Sequence, residues 1–225
     1  MENIWVFGVG PASDVAASQV QVEYGHESFA GFCVDDAYYN ATRHLGKKII
    51  KYSDLLKNKR DHAIFVGLGY KNLNKDREMI FNRVLNDGFN VLTLSPGFKS
   101  NEAITIGRNC LVLAGAAIQP HASIGDNVFI WSGATVCHHA ILSSHIWVTA
   151  GATISGNAFV GSNVFLGANS TIVAGIEIGR NCFIGAGTLV SKSLPENSVV
   201  IRKEDPVASI SAENFVKFLD MNRNY

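Results

Sequence analysis

One six-residue grid runs through the second half of this chain and constrains its fold more than any other feature. An α-helix repeats every 3.6 residues and a single strand every two, so neither explains a period of six. A fixed short period is typical of stacked repeat architectures. The grid predicts a parallel β-helix, a triangular prism in which three six-residue segments complete each coil and each segment contributes one inward aliphatic side chain. The aliphatic positions are Ile106, Val112, Ile118, Ile124, Ile130, Val136, Leu142, Val148, Ile154, Val160, Leu166, Ile172, Ile178, Ile184 and Val190.

A second register, four residues after the first, carries mostly small side chains. Small groups between aliphatic ones can fill a narrow interior without voids. The grid is long enough for about five coils of 18 residues, and no insertion interrupts it. We therefore expect an unbroken prism with no long loop inside it. The small register includes Cys110, Ala116, Ala122, Ala134, Ala140, Ala152, Ala158, Ser170, Cys182 and Thr188.

The first 95 or so residues follow a different pattern, in which short apolar runs alternate with helical stretches. This alternation predicts a small parallel sheet with crossover helices. After the grid, Ser211 is a candidate cap for a short amphipathic helix whose apolar face would be Phe215, Phe218 and Leu219. We therefore divide the chain into an α/β domain (1–98), a β-helix domain (99–203) and a C-terminal helix or tail (204–225). The expected strands cover 4–9, 29–34, 62–69 and 89–94, and the expected helices begin near 14 and cover about 72–86.

Charge and composition exclude several classes of partner. Acidic and basic residues number 19 each, so nothing indicates binding to nucleic acid or to an anionic membrane. No basic segment followed by an apolar run opens the chain, and no apolar stretch is long enough to span a bilayer. The four cysteines have no metal-site spacing, and two lie on the small core register. We expect a cytoplasmic protein.

A spacing of 18 residues places side chains directly above one another on the prism. Phe129, Trp147, Phe165 and Phe183 form one such ladder, which predicts an aromatic stripe packed against another subunit. A more specific interpretation is that Trp147 also lines a cofactor groove at that interface.

Histidines are the candidates for chemistry. His121 should lie one coil below His139, and His138 precedes it at the same corner. Imidazoles at a corner near a subunit seam can supply a general base with a pKa near neutrality. They are equally compatible with ordinary surface residues. A zinc site that also uses His145, from the next face, is a further alternative.

The N-terminal part offers a possible nucleotide site. The turn Gly8-Val9-Gly10, followed by Ser13, is an incomplete glycine-rich phosphate motif, and the Asp35-Asp36 pair after the second strand fits a ribose or base contact. An ordinary tight turn and a solvated acidic loop explain the same residues. Beyond the grid, Arg202 and Lys203 fit either an anionic phosphate or a solvated tail.

Two hexads make the chain resemble the bacterial hexapeptide-repeat acyltransferases, and the resemblance extends over about residues 3–202. Within that family the chain is similar to the subgroup that acetylates sugars, including enzymes of sialic-acid and bacillosamine pathways. The resemblance implies a small Rossmann-like sugar-nucleotide domain, a left-handed parallel β-helix and a homotrimer with active sites at the subunit seams. The hexads are Ile178-Gly179-Arg180-Asn181-Cys182-Phe183 and Ile184-Gly185-Ala186-Gly187-Thr188-Leu189.

The resemblance also implies roles for individual residues. The catalytic base of the family matches His138, and His139 stands where an acidic partner is usual. Sugar-nucleotide contacts match Gly8, Gly10, Ser13, Asp35 and Asp36, bordered by Gly69 and Tyr70. The usual loop after the first glycines is replaced by Pro11-Ala12-Ser13, and the C-terminal Gly-x-Pro segment is also altered. Contacts to acetyl-CoA match Trp147, Ala168 and Ala186, with Arg202 and Lys203 near a phosphate and a backbone amide near Gly156 at the oxyanion.

These observations lead to a principal hypothesis and two alternatives. The first is an acetyl-CoA-dependent acetyltransferase that acts on a sugar, with a nucleotide-linked amino or deoxy sugar as acceptor, in bacterial surface glycan, O-antigen or lipopolysaccharide biosynthesis. Acetyl-CoA is the expected cosubstrate, and no metal is expected. The alternatives are a non-catalytic trimeric protein that binds a sugar nucleotide and a zinc-dependent hydratase resembling γ-carbonic anhydrase.

Overall fold

The computed structural model describes residues 3–95, 103–203, 209–214 and 216. The apolar face expected at Phe215, Phe218 and Leu219 lies outside the described residues. The chain folds into a small N-terminal α/β region followed by a left-handed β-helix, as the sequence predicts.

The N-terminal region is a sheet of six strands with three helices. The strand order is β3-β4-β2-β1-β5-β6, and every neighbouring pair is parallel except β3 with β4. The predicted strands and helices are present with shifted bounds: α1 begins at Pro11 rather than near Asp14, α3 begins at Lys75 rather than near 72, and β1, β5 and β6 end before the predicted positions. The pattern did not predict β3, β4 or α2, which are short. The elements are β1 Asn3–Phe7, α1 Pro11–Tyr24, β2 Phe29–Val34, β3 Arg43–His44, β4 Lys47–Lys51, α2 Tyr52–Leu56, β5 His62–Val66, α3 Lys75–Asn86 and β6 Asn90–Val91.

The prism consists of two-residue strands that recur every six residues, which confirms the grid. They form three parallel sheets, and each strand pairs with the strand 18 residues away. The strands are β7 Thr105–Ile106, β8 Leu111–Val112, β9 Ala117–Ile118, β10 Ser123–Ile124, β11 Phe129–Ile130, β12 Thr135–Val136, β13 Ile141–Leu142, β14 Trp147–Val148, β15 Thr153–Ile154, β16 Phe159–Val160, β17 Phe165–Leu166, β18 Thr171–Ile172, β19 Glu177–Ile178, β20 Phe183–Ile184 and β21 Leu189–Val190.

Both registers of the repeat point inward, and together they form a single core. The aliphatic grid residues from Val112 to Val190 are almost completely buried. Removing one such side chain from water contributes about 1.5–3 kcal/mol, so the repeated pattern is also the main source of stability in the prism. The small residues fill the space between them, and Cys110 and Cys182 are buried, unpaired members of this core.

Short segments outside the grid cover the ends of the prism. Leu94, just after β6, pairs in parallel with Leu111 of the first coil. At the other end, β22 (Val199–Val200) pairs with β20, and Leu194 pairs with Ile178. The face that contains β8, β11, β14, β17, β20 and β22 is therefore extended at both ends by the chain itself.

The same face carries the aromatic ladder, and it packs against the α/β region of its own chain. Phe129 and Trp147 are buried in a core that also contains Phe65. The rings of Phe65 and Phe129 are stacked, with their centroids 5.5 Å apart. The ring centroid of Tyr70 lies 5.1 Å from that of Trp147 and 4.7 Å from that of Phe165. The prediction that the ladder packs against another subunit is therefore wrong for its central rungs. Spacing alone indicates that a stripe is covered but does not indicate by what.

A polar column at one prism corner attaches the α/β region to this face. We call it the corner ladder and define it as Asn109, Asn127, His145 and Asn163, which are 18 residues apart. Each has a positive φ between 54° and 64°, a conformation that asparagine tolerates better than most residues. Asn109 exchanges two hydrogen bonds with the backbone of Val66. Asn127 and His145 contact each other and side chains of α3, and Asn163 Nδ2 donates to Glu78 Oε2 of α3 at 2.8 Å.

Candidate functional site

A cavity of about 630 Å³ lies between the α/β region and the prism. Its walls come from the start of α1, the segment that follows β5, and two indoles on the prism. Lys71 is the only charged residue in this lining. Concave, mostly apolar sites with few polar groups are typical of small-molecule binding. The lining residues are Val9, Gly10, Pro11, Ala12, Ser13, Gly67, Leu68, Gly69, Tyr70, Lys71, Trp131 and Trp147.

The glycine turn between β1 and α1 forms one wall of this cavity. Gly8 has φ 106° and Gly10 has φ 144°, conformations that L side chains rarely adopt. A Cβ on Gly8 would come within 2.7 Å of Leu68 Cδ2 and 2.9 Å of Ser13 Oγ. The first turn of α1 has no side-chain cap. Its backbone N–H groups and the positive end of the helix dipole therefore favour an anion at this wall.

The hydroxyl of Ser13, a predicted substrate contact, is already bonded. It donates to the carbonyl oxygen of Gly67 at 2.9 Å, and the residue is 2% exposed. Ser13 lines the cavity but its side chain joins α1 to the end of β5. The structure therefore assigns it a role in holding the turn.

A second cavity of about 350 Å³ lies at the carboxyl ends of β1 and β2. It shares the lining residues Val9, Leu68 and Lys71 with the first cavity, so the two cavities are adjacent, and we call them together the crevice. Ligands of open parallel sheets bind at this edge. Its lining residues are Phe7, Gly8, Val9, Val34, Asp35, Tyr38, Leu68, Lys71, Asp76, Met79 and Ile80.

The two adjacent aspartates have different environments. Asp35 lines the second cavity, and its Oδ1 pairs with Arg83 at 2.5 Å. Asp36 is outside that lining and accepts a hydrogen bond from Ser53 Oγ at 2.7 Å, which lowers the pKa of its carboxyl group. The structure therefore separates the predicted pair, and only Asp35 is placed to contact a ligand in the crevice.

We define the histidine corner as His121, His138 and His139. His138 and His139 lie between β12 and β13, and His121 lies one coil below them, between β9 and β10. The rings of His121 and His139 are 4.8 Å apart with planes inclined by 32°, which confirms the predicted stacking. The ring of His138 covers Gly156 one coil above, where a Cβ would come within 2.6 Å of its Cε1. The residue at 156 must therefore lack a side chain for His138 to adopt this position.

His138 and His139 are exposed and interact directly. Their Nδ1 atoms are 3.2 Å apart, and the backbone N–H of His138 donates to Gln119 Oε1 at 2.9 Å. A hydrogen bond between two imidazole nitrogens requires one to donate and the other to accept. If Nδ1 of His138 is the donor, its Nε2 carries the free lone pair. His139 can therefore select the tautomer that a base requires, as an acidic partner would.

Within one chain the histidine corner and the crevice cannot meet. The crevice opens on the face that contains β11 and β14, whereas the corner joins the other two faces of the prism. His138 therefore lies across the prism from Trp147, which is buried against Tyr70 rather than exposed beside the corner. The predicted location of Trp147 in a subunit-seam groove differs from its observed place in the crevice.

The remaining residues matched to acetyl-CoA divide between two corners. Gly156 lies at the histidine corner. Ala168 and Ala186 lie one coil apart at the corner between the faces of β17 and β18, and Gly187 N donates to Ala168 O at 2.8 Å. Arg202 reaches this second corner, within 3.8 Å of the position a Cβ on Gly187 would take. Lys203 is exposed next to it in sequence. Trp131 of the crevice follows β11 at this same corner.

His145 belongs to the corner ladder and not to the histidine corner. Its Nδ1 lies 2.9 Å from Asn127 Nδ2, its Nε2 lies 3.6 Å from Glu78 Oε1, and its ring packs on Phe81. Burial lowers its pKa, against the opposing effect of Glu78. The zinc alternative needed His145 to converge with the other histidines. No group of three His, Cys, Asp or Glu side chains suited to a metal occurs in the part of the chain that the structure describes.

Sequence reasoning missed three residues of the crevice region: Trp131, Lys71 as a residue shared by both cavities, and the buried Arg77 of α3. Trp131 lies just after the grid position Ile130, a register that the ladders did not include. Lys71 follows Gly69 and Tyr70, and nothing in its spacing distinguishes it from an ordinary surface lysine. Arg77 looks like an ordinary charged residue of an amphipathic helix, and no spacing rule distinguishes it.

Comparison with known proteins agrees with the repeat architecture. The bacterial transferase hexapeptide model (six repeats) matches residues 103–138, and the hexapeptide repeat of succinyl-transferase matches residues 157–192. These two segments of the prism therefore carry hexapeptide repeats. No curated protein sequence matches the chain. No helix within the described ranges is long and apolar enough to cross a membrane.

Several solved structures share the architecture of both regions of this chain. The acetyltransferase domain of PglB from Neisseria gonorrhoeae matches with a TM-score of 0.77 and 22% identity, over 88% of this chain and 96% of that chain. A histidine-to-asparagine mutant of perosamine N-acetyltransferase from Caulobacter crescentus, in complex with CoA and GDP-perosamine, matches with a TM-score of 0.79 and 23% identity, over 91% and 98%. WeeI from Acinetobacter baumannii matches with a TM-score of 0.68 and 18% identity, over 90% and 97%. These likenesses establish the fold.

Proposed function

We propose that this protein transfers an acetyl group from acetyl-CoA to a nucleotide-linked amino or deoxy sugar, with His138 as the general base. One observation carries the proposal: the exposed His138–His139 pair, packed over Gly156, lies on a prism whose chain also forms a nucleotide-sized crevice. Proteins with the same fold include one crystallised with acetyl coenzyme A and one crystallised with CoA and GDP-perosamine. We expect the product to serve bacterial surface glycan synthesis.

The proposed chemistry needs a base, alignment and a place for negative charge. The acceptor amine or hydroxyl attacks the thioester carbonyl carbon while Nε2 of His138 takes its proton. The tetrahedral intermediate collapses as the C–S bond breaks, and the proton held by His138 passes to the departing sulfur of CoA. A backbone amide near Gly156 is the proposed donor to the oxyanion. The other groups hold the two substrates in line, which lowers the entropic part of the barrier.

The crevice is the proposed site for the nucleotide sugar. The 350 Å³ cavity with Asp35 and Tyr38 would take the nucleoside, and the apolar 630 Å³ cavity with the two indoles would take the sugar. Lys71 lines both cavities, and the uncapped start of α1 lines the first of them. These two positive features fit the phosphates that connect a nucleoside to a sugar.

The acetyl-CoA site is proposed at the seam between two copies of the chain. In a homotrimer, the histidine corner of one copy would face the corner of the next copy that carries Ala168, Ala186 and Arg202. Lys203 would add positive charge for the CoA phosphates. This arrangement resolves the separation of crevice and base within one chain, because each site would combine the crevice of one subunit with His138 of its neighbour.

The direct test is acetyl transfer by purified protein, measured as thiol release from acetyl-CoA with a panel of nucleotide-linked amino and deoxy sugars. We expect His138→Asn to lose at least ~100-fold in kcat, the range typical of a removed general base. His139→Asn should lose less, because the base remains while its tautomer is less well held. His26→Asn, at an exposed site on the α/β region, is the matched control. Full activity of His138→Asn would exclude the assignment.

Site sharing between subunits has its own test. His138→Asn and Trp131→Ala should each be nearly inactive alone, because every site in the trimer lacks one part. Trimers assembled from a denatured and refolded mixture of the two variants would contain some seams with both wild-type parts. We expect such mixtures to regain a measurable fraction of activity. No recovery in trimers shown by mass to be mixed would contradict the shared site.

A non-catalytic nucleotide-sugar-binding protein is the alternative that this assay distinguishes. It predicts that nucleotide sugars raise the melting temperature, as any ligand of the native state does, while no acceptor releases thiol from acetyl-CoA. The altered Pro11-Ala12-Ser13 loop is the sequence feature in its favour.

A further inference from the structure

Arg77 of α3 is a fully buried cation without a counter-charge. Its side chain is 0% exposed, and none of the described carboxylates lies within ion-pair distance of it. Its guanidinium carbon lies 4.2 Å from the ring centre of Phe129 and 5.4 Å from that of Trp147. Burial lowers the pKa of Arg77 to about 9. An isolated buried charge is strongly unfavourable, so its surroundings must compensate for lost hydration.

Oriented oxygens provide that compensation from two sides. From the prism, Asn127 accepts two bonds, from Nε to its Oδ1 at 2.9 Å and from Nη2 to its carbonyl at 3.2 Å, and the carbonyl of Ile146 accepts a third at 3.3 Å. From the α/β region, Nη1 donates to the carbonyls of Leu68 at 3.4 Å and Gly69 at 3.3 Å. One planar group thus connects the prism to the segment that follows β5.

Three of the residues that Arg77 contacts also line the 630 Å³ cavity. Leu68 and Gly69 line it from the α/β region, and Trp147 lines it from the prism, whereas Arg77 itself is absent from the lining. Arg77 therefore lies behind two opposing walls and is bonded or stacked to both. The width of the cavity depends on the distance between those walls.

We propose that Arg77 is a positioning residue that sets the width of the acceptor cavity by fixing the Leu68–Gly69 backbone relative to the indole of Trp147. The proposal rests on the proposed function for its kinetic consequence, although its structural part does not. Arginine suits this role because its flat fork donates in several fixed directions while its faces pack on aromatic rings. Lysine keeps the charge but donates from a single nitrogen and has no flat face.

The test compares Arg77→Lys with Val84→Ala. Val84 is fully buried two turns later in α3, in a core that contains Phe81 and excludes both tryptophans of the cavity, so its truncation destabilises the same helix without touching the cavity. Both variants are assayed at a temperature where circular dichroism shows them folded. We expect Arg77→Lys to raise the KM for the nucleotide sugar at least tenfold and to leave the KM for acetyl-CoA within twofold. Val84→Ala should change neither KM.

A second measurement needs no substrate, so it remains informative if the proposed function fails. Acrylamide quenching of tryptophan fluorescence reports how accessible the indoles are, and Trp147→Phe identifies the share of that residue. We expect at least twofold stronger quenching of Trp147 in Arg77→Lys and no change in Val84→Ala. Unchanged quenching in a folded Arg77→Lys protein would overturn the proposal, as would equal KM values for the two variants at matched stability.

Discussion

The prism and the α/β region reach stability and function by opposite routes. The prism repeats one local solution, an inward aliphatic residue every six positions, and its candidate chemistry lies where the repeat permits variation, at exposed corner residues such as His138. The α/β region has no repeat, and its candidate site is formed by strand ends and a glycine turn that come together only in the folded sheet. The repeat therefore makes the fold of the prism predictable from sequence, whereas the candidate site of the α/β region depends on contacts between residues that are far apart in sequence.

The largest expected effect tests the repeat itself. Ile154→Ala removes a fully buried side chain from the middle of the prism. We expect a loss of about 2–5 kcal/mol in the free energy of unfolding, because the rigid neighbouring coils leave a cavity. The control is Thr153→Ala on the outer surface of the same strand, expected to cost below about 1 kcal/mol. If urea unfolding gave the same loss of unfolding free energy for Ile154→Ala and Thr153→Ala, the inward aliphatic residues would not be the main source of stability in the prism.

A smaller effect is expected from the glycine turn of the α/β region. Gly8→Ala combines a forbidden backbone angle with a contact to Leu68, and we expect a loss of about 1–3 kcal/mol. Binding of nucleotide sugar should weaken as well, because Leu68 lines both cavities. Gly25→Ala is the matched control, with φ 87° but open space around its Cβ. Gly25→Ala should be less stable than the wild-type protein but should keep the rise in melting temperature on adding nucleotide sugar. If Gly25→Ala also lost that rise, the effect of Gly8→Ala on binding would not be specific to the cavity wall.

The smallest expected effect is on the pH dependence of stability, through His145 at the junction of the two regions. Burial lowers the pKa of folded His145 below its unfolded value near 6.5, although Glu78 and Asp126 oppose this and Arg77 reinforces it. At a pH between the folded and the unfolded pKa of His145, the unfolded chain binds more protons than the folded chain. The contribution of His145 to the free energy of unfolding is therefore fully present above the unfolded pKa, and it falls as the pH decreases through this window. We expect His145→Asn, which matches the other ladder positions, to reduce the difference between urea midpoints at pH 7.5 and pH 5.5.

His26→Asn serves as the control for that pH series, because His26 is exposed and lies outside the junction. A His145→Asn variant with the same pH dependence as the wild-type protein would show that another group titrates in this range. It would leave the corner ladder as a purely structural feature.

The contrast between the repeating prism and the non-repeating α/β region also explains how much of the fold can be predicted from the sequence. The strands of the prism, the stacking of His121 on His139 and the buried cysteines all follow from spacing, because residues 18 apart must be neighbours. The orientation of the faces does not follow, which is why the stripe through Phe129 and Trp147 was expected to meet another subunit. What covers a face is decided by the α/β region, through Phe65, Tyr70 and Arg77.

The candidate site was predictable in part for a related reason. The turn at Gly8 and Gly10 and the carboxylate of Asp35 carry local signals, a required backbone angle and a strand end. The difference between Asp35 and Asp36 depends on Arg83 and Ser53, which lie 48 and 17 residues away from their partners. No spacing rule relates such pairs, and the same holds for Trp131 and Lys71.

The short pairings at the two ends of the prism have a consequence for solubility. A stack of identical coils ends in open strand edges, which are templates for the addition of further chains and for fibre growth. Leu94 occupies the edge of β8 and β22 occupies the edge of β20, while Leu194 pairs beside Ile178. On the face that carries the aromatic ladder, the strands at both ends of the grid are thus paired within the chain, so the edges of β8 and β20 are not available as templates for a second copy.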